Sequence, residues 1–172
     1  MFRDKRGVSP VVATVLLLVL TIVIGGVVFS VVIPFVNDKL KDSKECLDLL
    51  GGVEFAESKF NCYKTTPPSE TGFSVKISKD GISGVKISLI DENENSDVFE
   101  IKDGTTSDSL RMVGDDGLYG SSLEFPDAFG QRTYVTKNDY VRAEISALSK
   151  SGEVCAVADV IEFEPCASGV NL

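Results

Sequence analysis

The chain has 172 residues, of which 17 are basic and 26 are acidic, and its formal net charge is −9. It contains no histidine, which excludes a Ser-His-Asp triad, a Cys-His pair and the commonest ligand of transition metals. We therefore expect neither an enzyme nor a bound cofactor, and the excess of acid disfavours nucleic acid as a partner.

A short basic segment precedes the first apolar residues. Lys5 and Arg6 stand directly before Gly7, and the sequence continues Val-Ser-Pro-Val-Val-Ala-Thr from Val8. This junction resembles the class III signal peptide of archaeal type IV pilins, whose cleavage site lies in front of the apolar run. The resemblance implies that a prepilin peptidase recognises Lys5 and Arg6 and cuts after Gly7. Residues 1–7 would then be a leader, and Val8 would be the new N-terminus.

The resemblance ends at Pro34 and departs from the bacterial pattern at one position. Bacterial pilins usually carry a glutamate as the fifth mature residue, where it pairs with the terminal amine of a neighbour. The corresponding residue here is Val12, so that ion pair is not available. The alternative is a plain signal anchor that is never cut.

A long apolar run follows the leader. No ionisable side chain occurs from Gly7 to Asn37, and about twenty apolar residues suffice to cross a bilayer as a helix. The run has no polar stripe at helical spacing, so its surroundings must be apolar on every side. Residues 8–36 are therefore predicted to form a helix that lies in lipid or in the middle of a helical assembly.

The charges around the run predict its orientation. Arg3, Lys5 and Arg6 precede it and only Asp4 opposes them. The positive-inside rule therefore places the N-terminus in the cytoplasm and the rest of the chain outside. We expect a single-pass membrane protein with an extracellular C-terminal domain, which joins a cell-surface filament after processing.

Residues 37–50 are predicted to extend the helix as an amphipathic stem. Val36, Leu40, Leu47 and Leu50 are spaced for one face, while charged residues cover the other. The predicted helix runs from Pro10 to Leu50, and its second part should pack on the outer domain through that face. The alternative is a flexible charged linker.

Residues 51–172 show the alternation of half-buried strands. The clearest segments are Phe73–Ile77, Val85–Leu89, Val141–Ala147 and Val154–Phe163. Turn sequences such as Lys79-Asp80-Gly81 separate them. About seven short strands without helices between them indicate an antiparallel, sandwich-like domain. The predicted fold class is α+β, a transmembrane helix and stem followed by this extracellular β-rich domain.

All four cysteines fall on the outer side of the apolar run, where thiols oxidise and remain oxidised. Two disulfides are predicted among Cys46, Cys62, Cys155 and Cys166, and the sequence leaves all three pairings open. A zinc site is the alternative, but no short C-x-x-C spacing supports it. A bridge from Cys46 to a cysteine of the sheet would fasten the stem to the domain.

An acidic segment has part of the spacing of a calcium loop. Asp91, Asn93, Asn95 and Asp97 supply oxygen donors at alternate positions. The pattern then fails, because Ser96 stands where the loop needs glycine and Lys102 where it needs the closing glutamate. An acidic hairpin turn is the preferred interpretation, with a weak calcium site as the alternative and no other metal site expected.

Together these features predict a pilin-like structural subunit. After processing, residues 8–36 would leave the bilayer and pack against other pilin subunits in a filament that serves adhesion or motility. Its partners would be membrane lipid, the prepilin peptidase and further copies of the chain. The alternative is an extracellular binding or adhesion module that stays anchored in the membrane and does not polymerise.

Overall fold

The structure, a computed structural model, describes residues 10–114 and 117–172, apart from the side chain of Asp42. Its first described residues are helical. The helix α1 spans Pro10–Val27, a π-helical segment spans Val28–Val32, and α2 spans Ile33–Leu49. Pro10 opens α1, where a proline costs no intrahelical hydrogen bond. The described helix therefore agrees with the predicted one to within one residue at its C-terminal end.

The chain divides into two units, the first ending at Ser43 and the second spanning Lys44–Leu172. The second unit begins with the last turn of α2, which stops at Leu49. Gly51 then adopts φ 70°, a left-handed conformation that glycine tolerates best and that commonly ends a helix. The amide of Gly52 donates to the Leu49 carbonyl at 2.9 Å, which closes the end of the helix.

Ten strands follow among the described residues. They are β1 (Val53–Phe55), β2 (Cys62–Lys64), β3 (Glu70–Ile77), β4 (Gly84–Ile90), β5 (Ser96–Ile101), β6 (Leu110–Met112), β7 (Gln131–Lys137), β8 (Arg142–Leu148), β9 (Val154–Glu162) and β10 (Glu164–Pro165). The four segments of clear alternation correspond to β3, β4, β8 and β9. The other strands are short or lack a clear alternation in sequence, which explains why the predicted number was lower.

The strands form two sheets. The six-stranded sheet has the order β10-β2-β3-β7-β6, and β1 also pairs with β3. The four-stranded sheet has the order β5-β4-β8-β9. All pairs are antiparallel except β10 with β2, which is parallel. The molecule is thus α+β, with one mixed and one antiparallel sheet in the second unit.

Both sheets contribute to one hydrophobic core, and the alternation in the sequence identifies its members. In β3, β4 and β8, every second side chain is at most 2% exposed. Fully burying one such aliphatic or aromatic side chain contributes roughly 1.5–3 kcal/mol. The core residues of these strands are Phe73, Val75, Ile77, Val85, Ile87, Leu89, Ala143, Ile145 and Ala147.

The sequence predicted that the stem packs on the outer domain through the face that carries Leu47 and Leu50. Within the second unit, this prediction is wrong. Leu47 and Leu50 are 65% and 51% exposed, whereas Leu49 is buried and Cys46 packs against the core. Positions 46 and 49 are three residues apart and therefore share a helical face, which points away from Leu47. The disulfide of Cys46 fixes that face toward the sheets.

Candidate functional site

The uncovered apolar helix is the main candidate for a functional surface. No residue between positions 10 and 36 is buried, and Leu16 and Leu17 are 64% and 65% exposed. A contiguous apolar surface of this kind marks a site that binds membrane or protein. Among the described residues, this is the one helix long and apolar enough to cross a membrane.

The side-chain hydroxyl groups of this apolar stretch are satisfied inside their own helix. Each donates to a backbone carbonyl three residues earlier, so none needs water or a partner. The bonds join Thr14 to the Val11 carbonyl at 2.9 Å, Thr21 to the Leu18 carbonyl at 2.8 Å and Ser30 to the Val27 carbonyl at 3.3 Å. The side chains of the helix are therefore compatible with apolar surroundings on every side.

The helical hydrogen-bond pattern changes near the end of the apolar stretch. The amide of Ile33 donates to the Val28 carbonyl, five residues back, as in a π-helix. Pro34 follows directly and has no amide hydrogen to donate. The change in pattern thus coincides with the place where α-helical bonding would be interrupted in any case.

The predicted processing residues Lys5, Arg6, Gly7 and Val8 lie outside the described residues. Cleavage after Gly7 therefore stays a prediction of the sequence.

The four cysteines form two disulfides. Cys46 in α2 pairs with Cys155 in β9, and Cys62 in β2 pairs with Cys166 after β10. The partners are 109 and 104 residues apart in sequence. Each bridge thus joins the beginning of the second unit to its end, and the first holds the last turn of α2 to the four-stranded sheet.

The acidic segment forms the turn between β4 and β5. One carboxylate oxygen of Asp91 accepts hydrogen bonds from the amides of Asn93 and Asn95, at 2.8 and 2.9 Å. The other oxygen accepts from the side-chain amide of Asn95 at 2.9 Å. These bonds, that of the Asn95 side chain first, lower the pKa of Asp91. Asp91 thus uses both oxygens to hold the hairpin turn.

A pocket beside this turn brings in residues that the sequence did not associate with it. Asp91, Asn93 and Asp97 line it together with Asp139 and Tyr140, whereas Asn95 does not. The hydroxyl of Tyr140 donates to Asp97 at 2.5 Å. Within the described part of the chain, no group of three or more acidic, histidine or cysteine side chains is placed to hold a metal ion. The calcium site stays a prediction.

A second polar cluster fastens the long segment between β6 and β7. Arg111 forms an ion pair with Glu70 at 3.0 Å, and the hydroxyl of Tyr119 donates to the same carboxylate oxygen at 3.0 Å. The side chains of Arg111 and Glu70 are only 15% and 12% exposed. Lys137 lies over the ring of Tyr119, 4.5 Å from its centre. The polar groups of this cluster are thus paired with one another, and we assign the cluster a structural role.

The described residues thus offer an extensive apolar surface, an acidic pocket and a disulfide-bonded β unit. The apolar helix can bind lipid or other apolar helices, and it presents no charged side chain between positions 10 and 36. Comparison of the chain with models of protein families and with curated proteins found no match.

Proposed function

We propose that the chain is a type IV pilin-like structural subunit of the archaeal type. It is inserted with its N-terminus in the cytoplasm, loses residues 1–7 to a prepilin peptidase and assembles through its apolar helix into a surface filament. The observation that carries this proposal is the helix itself, which exposes large apolar side chains from Val11 to Val36 and satisfies its own hydroxyl groups.

The mechanism is physical. Lipid chains and packed side chains are both apolar, so a helix gains little hydrophobic free energy on moving from one to the other, and van der Waals packing determines the balance. A helix that is apolar on all sides can therefore exchange lipid for neighbouring helices. A charged face on the helix would be unfavourable both in lipid and among apolar helices, because either environment would leave charged side chains in apolar surroundings.

The second unit would form the outer surface of the filament. In this proposal its two sheets pack face to face as a sandwich, and the unit serves adhesion or motility without catalysing a reaction. Two disulfides suit an oxidising extracellular location. The net negative charge of the chain beyond the leader would keep the outer surface hydrated.

The test is the fate of the native protein in its own membrane. Intact mass and N-terminal sequencing should show a chain that begins at Val8, and shearing of cells should release it in filaments. A Gly7→Ile variant places a bulky side chain at the cleavage site. It should keep residues 1–7, remain in the membrane and be absent from the sheared fraction.

The alternative is a permanently anchored extracellular binding module. It predicts that the native chain begins at Met1, that every copy needs detergent to leave the membrane, and that the Gly7→Ile variant behaves like the wild type. That combination of results would overturn the pilin proposal.

A further inference from the structure

One face of α2 carries an exposed row of apolar side chains. Its members follow one another at alternating intervals of three and four residues, and the four apolar ones are between 41% and 65% exposed. The row, which we call the seam, consists of Ile33, Val36, Leu40, Ser43 and Leu47. The second unit uses a different face of α2, that of Cys46 and Leu49, so the seam stays open.

The spacing of the seam indicates which kind of element covers it. An α-helix turns by about 100° per residue, so the seam residues fall within roughly a quarter of its circumference. A row this narrow that follows a seven-residue repeat is typical of a helix that packs lengthwise on one other helix. Charged residues occupy most of the other positions from 38 to 48, so lipid would cover the seam only by surrounding charged side chains as well. The seam therefore favours a helical partner over lipid.

The one polar side chain of the seam is compatible with such a partner. The hydroxyl of Ser43 donates to the backbone carbonyl of Lys39 at 2.9 Å. It is therefore satisfied within its own helix, as are the hydroxyl groups of the apolar stretch. Ser43 is also the smallest member of the seam, which leaves room for a larger side chain of the partner.

The partner helix comes from a second copy of the chain. The described residues contain no helix apart from the continuous stretch Pro10–Leu49, and a continuous helix cannot fold back on itself. Two α2 helices in register would pack poorly, because Lys39 of one copy would lie beside Lys44 of the other. In contrast, α1 carries no charged side chain and is apolar on every side. The uncharged helix α1 of another copy is therefore the best partner that the chain offers.

Length and side-chain size indicate the register. α1 has 18 residues, which is about 27 Å and covers the roughly 21 Å from the first to the last residue of the seam. Gly26 has no atoms within 4 Å of the place that a side chain would take, so the large side chain of Leu47 can approach the backbone there. The same register places the small Ser43 opposite the large Ile22. Each small residue thus faces a large one, as in well-packed cores.

We propose that the seam of α2 in one copy packs along α1 of a second copy, with Leu47 opposite Gly26. This inference deepens the proposed function and rests on it. The two positions are 21 residues apart in the sequence, so contacting copies are staggered by roughly 30 Å along the helix axis. The interface between copies thus extends beyond the uncharged stretch into the charged part of α2, where the seam alone meets the partner.

Cysteine cross-linking in assembled filaments tests the stagger. A double variant, Ser43→Cys with Ile22→Cys, places thiols of different copies opposite each other, and disulfides form only when the Cα atoms are within about 7 Å. The four native cysteines are already paired. Oxidised, sheared filaments should give a ladder of covalently joined copies. Peptide mapping should find position 43 of one copy bonded to position 22 of another.

The matched control is Ser43→Cys with Val15→Cys, which moves the second thiol by seven residues, about 10 Å along the same face of α1. It should give no ladder. Ser43→Cys alone should give no dimers, which would form if the α2 helices packed in register. A ladder of equal strength in the control, dimers of the single variant, or formed filaments without the bond between positions 43 and 22 would overturn the stagger and leave the pilin proposal standing. A wild-type chain that is cut after Gly7 but never forms filaments would overturn both.

A substitution in the seam tests its contribution to assembly. Leu40 is 62% exposed and is not part of the hydrophobic core, so Leu40→Gln should leave leader removal, membrane insertion and the fold of the second unit unchanged. The yield of sheared filaments should fall at least about tenfold, as for the lost burial of a leucine side chain. Lys41→Gln introduces the same residue on the charged side of α2 and should keep the wild-type yield. A wild-type yield for Leu40→Gln, or an equal fall for Lys41→Gln, would contradict the proposal.

Discussion

Tyr140 joins two parts of the second unit that are distant in sequence. Its side chain is 3% exposed, its hydroxyl donates to Asp97 at 2.5 Å, and its amide donates to the hydroxyl of Thr71 at 2.9 Å. Burial, followed by the hydrogen bond to Asp97, raises the pKa of Tyr140 to about 12. The residue thus holds the acidic β4–β5 hairpin and strand β3 to the start of β8.

The raised pKa of Tyr140 predicts a loss of stability at alkaline pH. Below pH 10, the ordinary pKa of tyrosine, both the folded and the unfolded chain carry the neutral phenol. Between pH 10 and 12 the unfolded chain ionises while the folded chain does not, so folding becomes less favourable. Tyr140 alone should lower the free energy of unfolding by about 1 kcal/mol from pH 8 to pH 11.

Urea unfolding of the full chain in detergent micelles at these two pH values would measure this loss. A Tyr140→Phe variant cannot ionise at this position, so its loss between the two pH values should be smaller than that of the wild type by that amount. An equal loss in both proteins would show that Tyr140 does not carry the effect. Tyr63→Phe is a suitable control, because Tyr63 is only half-buried.

The sequence identified two acidic residues of this pocket, Asp91 and Asp97, but neither Asp139 nor the partner Tyr140. Asp91 and Asp97 stood out because they lie close together in one loop. Tyr140 is 43 residues after Asp97 and has no polar motif around it that points to the turn. The pairing of β4 with β8 brings them together, and such long-range register cannot be obtained from local alternation.

At the level of elements, the two disulfides differ in what they attach. Both close loops of similar length, 109 and 104 residues. The chain-entropy model therefore gives each a comparable stabilisation, about 4.7 kcal/mol for a loop of 100 residues, whereas disulfides typically contribute about 2–4 kcal/mol. Only the bridge from Cys46 to Cys155 involves the helix, whereas the bridge from Cys62 to Cys166 lies entirely among the strands and the C-terminal segment.

This difference gives a prediction for paired substitutions. Replacing Cys46 and Cys155 by serine should remove the protection of amides at positions 45–50 against hydrogen exchange, because the last turn of α2 keeps only Leu49 as its buried contact. Replacing Cys62 and Cys166 by serine should lower the global stability by a similar amount and leave that protection intact. Equal exchange at positions 45–50 in both variants would contradict this role of the first bridge.

Individual elements show why part of the fold was predictable. In β3, β4 and β8, large apolar side chains fall on one face and polar or small ones on the other, so hydrophobicity alternates visibly even though the second face of β3 is also buried at Ser74. Strand β7 lies between β3 and β6 and buries the consecutive residues Tyr134, Val135 and Thr136, which breaks the alternation. The predicted helix ran through Pro34 without interruption, and the one-residue shift to π-bonding before Pro34 depends on backbone geometry rather than on side-chain pattern.

At the scale of the whole molecule, charge and hydrophobicity are separated along the chain. The segment from Gly7 to Asn37 has no ionisable side chain, and the acidic excess lies after it. The hydrophobic core of the second unit is drawn from residues 49–163, and both disulfides join residues within Lys44–Leu172. The second unit therefore contains its whole described hydrophobic core and both disulfides.

We therefore predict that a chain of residues 44–172 folds without the apolar helix. It should be soluble and monomeric, and it should unfold reversibly in urea with the same midpoint as the second unit of the full chain in micelles. A chain that begins at Gly51, with Cys155→Ser to avoid a free thiol, lacks Cys46 and the buried Leu49. It should be less stable by more than about 2–4 kcal/mol, the loss typical of a disulfide alone, because the burial of Leu49 is lost as well. Aggregation or absence of cooperative unfolding in the 44–172 chain would show that the second unit depends on residues before Lys44, and that the boundary between the two units is not a boundary of folding.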